Sequence, residues 1–249
     1  MSGCRPAVFV ASSIKDLAGV VARLLPKVEV KDLSLQPGDN LSDEDWADLR
    51  DNAEVLFADV PIIKSALFTS PRLKWAHSTW AGVEPLIKIV DPRQPPDVIV
   101  TRTGSGFGNF MAEYVLGHII SIERRFLQLA DDQKAKDWRP HLYKQDVRSL
   151  SQLRLGILGA GQIGNQIGTL CKAVGMEVWG LTRSPISNNH GPLDAYRTTD
   201  QLADILQNCD YICNVLPSTP ETIGLLSGDV LSHCKAKVSP EVISLCKAK

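Results

Sequence analysis

The chain has 249 residues, enough for two modest domains or one large one. Hydrophobic residues make up 44% and charged residues 22%, and the formal net charge is −1, so the balance gives no reason to expect a nucleic-acid or membrane partner. No apolar run reaches membrane-spanning length, and the six cysteines show no paired spacing of the zinc type, so no metal site is expected. Several of those cysteines lie in apolar segments, as reduced core thiols do. The N-terminus lacks the apolar core of a signal peptide, which leaves the cytoplasm as the expected location.

In chain order, Ala7 to Ala11 reads as a short apolar strand. A helical pattern follows through Ile14, Leu17, Val21 and Leu24 until Pro26 stops it. Val28 to Leu33 reads as a second strand, and Ser42 is placed to cap a helix with an acidic start. Glu54 to Val60, Leu73 to Ser78 and, after the turn Pro92 to Pro96, Val98 to Thr101 are further strands. Strands alternating with helices predict a small α/β domain with a parallel sheet over residues 1–104.

Residues 105–150 read as a linking segment. From Asn109, taken as a cap, Val115, Ile119, Ile122, Phe126 and Leu129 repeat at helical spacing, predicting one long helix of about 20 residues, roughly 30 Å. The polar stretch Asp131 to Ser151 leads out of it.

Residues 151–249 are organised around Leu153 to Gly164. An apolar strand, Leu153 to Leu158, runs into Gly159-Ala160-Gly161-Gln162-Ile163-Gly164 and then a helix with Ile163, Ile167, Leu170 and Val174 on one face, ended by Gly175. In G-x-G-x-x-G the first glycine permits the tight turn, the second admits a pyrophosphate to the backbone, and the third lets helix and strand pack. Glycine turns without a ligand are common, but strand, turn, helix and a second strand at Met176 to Leu181 together predict a dinucleotide site.

The second strand ends Thr182-Arg183-Ser184, without the carboxylate that accepts from the ribose hydroxyls in an NAD site. A guanidinium flanked by hydroxyls suits a 2′-phosphate, so NADP(H) is expected over NAD(H); the alternative is a solvated loop arginine. Beyond it, Asp200 is taken to cap a helix bearing Leu202, Ile205 and Leu206, and Tyr211 to Leu216 is taken as the third strand, ended by Pro217-Ser218-Thr219-Pro220.

Trp80-Ala81-Gly82-Val83-Glu84, the stretch Gly106 to Tyr114, the G-A-G-Q-I-G turn and Leu216 to Thr222 occur in an order that resembles the D-isomer-specific 2-hydroxyacid dehydrogenases. Trp80 and Arg183 look most like the glyoxylate/hydroxypyruvate reductase branch. The resemblance implies a flavodoxin-like substrate domain followed by a Rossmann dinucleotide-binding domain. It also implies hydride transfer from the nicotinamide to a small 2-oxoacid such as glyoxylate or hydroxypyruvate, and a homodimer. By the same resemblance, amides at Ala81, Gly82 and Val83 hold the substrate carboxylate, and Trp80 walls the pocket, its alternative being a core tryptophan. Amides around Gly161, Gln162 and Ile163 hold the pyrophosphate, and Leu216 and Pro217 lie along the nicotinamide.

The sequence departs from that pattern after about Lys237. The family's Arg, its proton-donating His and the acidic partner of that His have no counterpart, since no arginine follows Arg197 and no histidine follows His233. His77 is the only histidine near the substrate turn, while His118, His141, His190 and His233 read as solvent or packing residues. No catalytic residue is therefore assigned, and the Rossmann domain is expected to be incomplete, truncated in its second half, with Leu153 to Leu158 as an open edge. The tail is expected to mask that edge with a strand over Val242 to Leu245, or to start a short helix at Ser239-Pro240-Glu241. Two readings stand: an NADPH-dependent 2-oxoacid reductase with impaired turnover, or a non-catalytic NADP(H)-binding protein that associates with an intact relative.

Overall fold

Short strands alternating with helices build two parallel sheets, apolar on both faces at the inner strands Ala7–Ala11 and Arg154–Leu158, in the computed structural model, which describes residues 7–33, 35–36, 38–104, 106–141, 147–186, 191–235 and 243–244. The chain divides into two units, Met1–Gly104 and Ser105–Lys249.

The first unit runs β1 (Ala7–Ala11), α1 (Leu17–Leu24), β2 (Glu29–Asp32), α2 (Asp43–Asn52), β3 (Val55–Ala58), α3 (Val60–Thr69), β4 (Trp75–Ser78), α4 (Glu84–Ile87) and β5 (Ile99–Arg102). Its strands lie in the order β2-β1-β3-β4-β5, all parallel, which is the flavodoxin-like order. Alternation along β1 sends Val8 and Val10 to Ala18 and Val21 of α1, and Phe9 and Ala11 to the core that holds Leu49 and Ile63. Ser42 caps α2 as expected, its hydroxyl accepting from the Asp45 amide at 3.1 Å. Ile14 lies outside α1 and is exposed, because Asp16 takes a left-handed conformation (φ 58°) and the helix begins only at Leu17.

The second unit runs α5 (Phe107–Glu123), α6 (Phe126–Ala135), β6 (Arg154–Leu158), α7 (Gln162–Ala173), β7 (Glu177–Thr182), β8 (Ala195–Thr198), α8 (Leu202–Asn208), β9 (Tyr211–Asn214) and β10 (Ile243–Ser244). The expected single long helix is two. Arg125 sits at φ 53°, which breaks the helical phase after Glu123, so Val115 and Ile119 are buried while Phe126 is exposed. Asn109 is not a cap but lies inside α5, and its side chain accepts from Gln166 of α7 at 2.8 Å. Asp200 likewise does not cap α8: it lies in the 3-10 turn Thr199–Gln201, which Thr198 caps in a capping box with Gln201, and Gln201 stands at the N-cap position of α8.

Strand order in this sheet is β10-β9-β6-β7-β8, all parallel. The third strand of the unit is therefore β8, which sequence reading passed over because Ala195-Tyr196-Arg197-Thr198 has no apolar alternation and is half-buried throughout. Tyr211–Asn214 is the fourth strand and pairs with β6 in the register Leu155↔Tyr211. The expectation that Leu153 to Leu158 forms an open edge is thus corrected: β6 lies between β7 and β9, and Leu155, Ile157 and Leu158 are fully buried. Ile243 and Ser244 pair along β9, opposite Cys213 and Asn214. The alternative helix start at Ser239 to Glu241 lies outside the described residues, as do His190, Cys4 and Cys246.

Two helical layers cover this sheet. On one face Ile167 and Cys171 of α7 pack with Val115 and Ile119 of α5, and on the other α8 brings Ile205 and Leu206 against Leu158 and Leu181. The thiols of Cys171 and Cys209 are pushed up to about 12 by burial, which keeps them protonated and inert.

Candidate functional site

In the second unit the three fingerprint glycines are glycine for three different reasons. Gly159 adopts φ 105°, and a Cβ there would meet the Val215 carbonyl oxygen at 3.1 Å. Gly164 packs so tightly that a Cβ would sit 2.2 Å from the Gly159 carbonyl oxygen. At Gly161, by contrast, a Cβ would meet nothing within 4 Å. That open space lies at the N-terminus of α7, where Gly161 is the N-cap and no side chain caps the helix. The first amides of a helix have no intrahelical acceptor, and the helix dipole favours an anion beside them, so Gly161, Gln162 and Ile163 fit a pyrophosphate. The Ala160 amide is not free for that role, because it donates to the Leu181 carbonyl at 3.0 Å.

The loops after β6 and β9 meet at the point where strand order reverses, the place where α/β sheets bind ligands. Leu216 and Pro217 stand in the second of these loops, with the Leu216 amide donating to Asn214 Oδ1 at 3.2 Å. At the end of β7, the Thr182 hydroxyl is turned inward onto the Ser184 carbonyl at 2.9 Å, while Arg183 and Ser184 are exposed. The carboxyl of Glu221, in the loop after β9, is held below its ordinary value, first by the Thr219 hydroxyl and in smaller part by the charge of Arg183.

In the first unit Trp80, Ala81, Gly82 and Val83 form the turn between β4 and α4. Trp80 is 45% exposed, so it is not a core tryptophan. Among the described residues, the amides of Ala81, Gly82 and Val83 have no acceptor. The turn is held instead by its carbonyls and by the residues before it. The Ser78 hydroxyl, fully buried, lies 3.0 Å from both the Trp80 amide and the Trp80 carbonyl, and Arg102 Nη1 donates to the Ala81 carbonyl at 3.0 Å.

Behind the turn, Asp59 accepts from the Ser12 hydroxyl at 2.7 Å, from the Ser13 amide at 3.0 Å and from the Thr79 hydroxyl. Burial pushes this carboxyl up, but the hydrogen bonds outweigh it and hold it below the usual carboxylate range. Asp59, Ser78, Thr79 and Arg102 come from three strand ends, and no local spacing in the sequence marked them.

His77 is not brought to the turn as an acid. Its Nδ1 lies 2.8 Å from the Thr101 hydroxyl, its Nε2 faces Thr103 at 3.4 Å, its ring rests against Phe57, and burial lowers its pKa. His118 packs at a tilt against Tyr114, and His141 and His233 are exposed. Among the described residues there is no cluster of three or more His, Cys, Asp or Glu that suits a metal ion, and no helix long and apolar enough to cross a membrane.

Residues 116–239 match the family described as D-isomer specific 2-hydroxyacid dehydrogenase, NAD binding domain. Glyoxylate/hydroxypyruvate reductase A of Serratia proteamaculans (strain 568) is 29% identical over 166 residues, 65% of this chain and 51% of that protein. The chain thus spans about half the length of this curated relative. A crystal structure of a D-isomer specific 2-hydroxyacid dehydrogenase family protein from Aeromonas salmonicida superposes with a TM-score of 0.77 at 30% identity, covering 93% of this chain and 70% of that one. The NADPH-dependent glyoxylate/hydroxypyruvate reductase of Sinorhizobium meliloti, solved with NADP and sulfate, shares the fold with a TM-score of 0.68 at 22% identity, covering 92% of this chain and 68% of that one.

Proposed function

The chain belongs to the D-isomer-specific 2-hydroxyacid dehydrogenases, a family of NAD(P)-dependent enzymes, and from that premise we propose that it binds NADPH in preference to NADH and acts on a small 2-oxoacid such as glyoxylate or hydroxypyruvate. The observation that carries this reading is the open space at Gly161 in front of the uncapped first turn of α7. Amides of Gly161, Gln162 and Ile163 hold the pyrophosphate, and Gly159 and Gly164 keep turn and helix close enough to present them. Arg183 pairs with the 2′-phosphate; Thr182, tied to Ser184, shapes the loop rather than contacting the ligand. Leu216 and Pro217 flank the nicotinamide. When bound, the reduced nicotinamide supplies the hydride.

Amides of Ala81, Gly82 and Val83 hold the substrate carboxylate, with Trp80 as a wall beside them. Among the described residues, His77 is the histidine nearest that turn in sequence, and it is poorly set up to give the proton. General acid work needs reach to the substrate oxygen and a partner that tunes the acid, and His77 has only threonine hydroxyls. With His77 as the donor, slow turnover is expected. The second reading, cofactor binding without turnover, is favoured by that same arrangement of His77.

The α5 residues Val115 and Ile119 are taken up by α7 inside the unit, so they do not form a dimer stripe. Phe107, Phe110 and Tyr114 are exposed on the same helix and support a homodimer; a clean monomer in light scattering removes that proposal. A cytoplasmic location goes with the reduced, buried cysteines.

NADPH oxidation by the 249-residue chain, measured with glyoxylate and with hydroxypyruvate beside a fluorescence titration of NADPH, tests the reading. Saturable NADPH binding with slow oxidation is expected. Oxidation at an ordinary enzyme rate overturns the low-turnover proposal and makes His77 the first residue to replace. Absence of NADPH binding overturns the cofactor reading altogether.

A further inference from the structure

Among the described residues three of the backbone amides in the turn after β4 have no acceptor, yet the turn is pinned by side chains from the last residues of β4 and β5. In a trans peptide the carbonyl and the following N–H point in opposite directions, so whatever holds a carbonyl aims the next amide. The buried Ser78 hydroxyl on the Trp80 carbonyl therefore aims the Ala81 N–H, and Arg102 on the Ala81 carbonyl aims the Gly82 N–H. Parallel pairing of β4 with β5 sets Ser78 beside Arg102, and Thr103 donates through both its amide and its hydroxyl to the Ser78 carbonyl, each at 3.0 Å. Both pins thus rise from one rigid pair of strand ends.

Two charges of opposite sign border the turn. The Glu84 carboxylate leans over the turn, where a Cβ on Gly82 would meet its Oε2 at 2.9 Å, so a carboxylate bound there is opposed by Glu84 and needs an offsetting positive charge. Arg102 is a cation bonded directly to the turn, and a charged donor on a peptide carbonyl polarises the N–H of the same peptide unit.

We propose that Arg102 is the positioning residue of the carboxylate cradle: by holding the Ala81 carbonyl it aims the Gly82 N–H at the carboxylate of the incoming 2-oxoacid, with Ser78 doing the same for the Ala81 N–H. The proposal rests on the substrate reading of this turn given above.

Oxalate, an unreactive carboxylate probe, separates the two by calorimetric titration of the full 249-residue chain. Wild type binds oxalate, and Arg102→Ala binds it roughly tenfold more weakly, the loss expected for one charge-assisted hydrogen bond. Arg102→Lys recovers part of the loss, added guanidinium ion restores binding to Arg102→Ala, and Ser78→Ala weakens binding without any change of charge. NADPH affinity and melting temperature, unchanged in Arg102→Ala, show that the variant is folded. Oxalate binding by Arg102→Ala equal to wild type overturns the role of Arg102 and leaves the substrate reading standing. Loss that neither lysine nor guanidinium rescues, or that spares Ser78→Ala, overturns the positioning role. No oxalate binding by wild type overturns the substrate reading and this inference with it.

Discussion

Arg183 follows β7 immediately, where the strand's carboxyl edge meets solvent, and its guanidinium is exposed. If it pairs with the 2′-phosphate, Arg183→Ala costs roughly ten- to a hundredfold in NADPH affinity, the range of a charge-assisted hydrogen bond, and leaves NADH affinity unchanged. Paired fluorescence titrations check this, and an equal change for both cofactors marks Arg183 as a solvated loop residue. Asp59 lends itself to a pH test. Its folded pKa lies below the ordinary carboxyl value, so its stabilisation is present above the unfolded pKa and is lost as the pH falls through the folded one. Asp59→Asn is therefore expected to lose about 1–2 kcal/mol at neutral pH. The gap between wild type and variant should close below the carboxylate range in urea unfolding across pH. A gap that persists in acid means the loss is one of packing.

Elements were legible where their periodicity was carried by buried residues and obscure where it was not. The strand, turn and helix around Gly159 to Gly164 were read correctly because one apolar strand, three glycines and one helical face occur in a single contiguous stretch. The break between α5 and α6 was missed because Phe126 and Leu129 continue the helical spacing, and nothing in the local pattern announces the left-handed Arg125. Lys136 ends α6 in the same left-handed region, at φ 54°, where a side chain is strained and glycine is not. Lys136→Gly is expected to raise stability by about 0.5–1 kcal/mol. A thermal midpoint at or below wild type means that the lysine side chain makes a contact worth more than that strain.

At the scale of the whole molecule, the amino-terminal edge of the second sheet is tied by charges that lie far apart in sequence. Glu123 at the end of α5 accepts from Tyr211 of β9 at 2.6 Å and pairs with Arg148. Asp210 accepts from the Arg154 amide at 2.8 Å and lies 3.5 Å from Arg148 and 3.1 Å from Lys235. Burial, with the neighbouring Glu123 carboxylate, raises the Tyr211 hydroxyl well above its ordinary value, so it stays a donor. Glu123→Ala leaves the buried Tyr211 phenol without its acceptor and Arg148 with only Asp210, and a loss of about 2–3 kcal/mol in chemical denaturation is expected. A loss under about 1 kcal/mol, the median for exposed ion pairs, places the network among surface pairs. Composition, strand and helix alternation and the glycine fingerprint determined by themselves that this is a two-unit α/β chain with a dinucleotide turn, because each of those signals is local or additive along the chain. Tertiary structure alone decided that β9 rather than open solvent flanks β6, and that Ser78, Thr79, Asp59 and Arg102 converge on one turn. The reason is physical: strand pairing and hydrogen bonding join residues that the chain separates by tens of positions, and no short-range spacing encodes which strand ends will become neighbours.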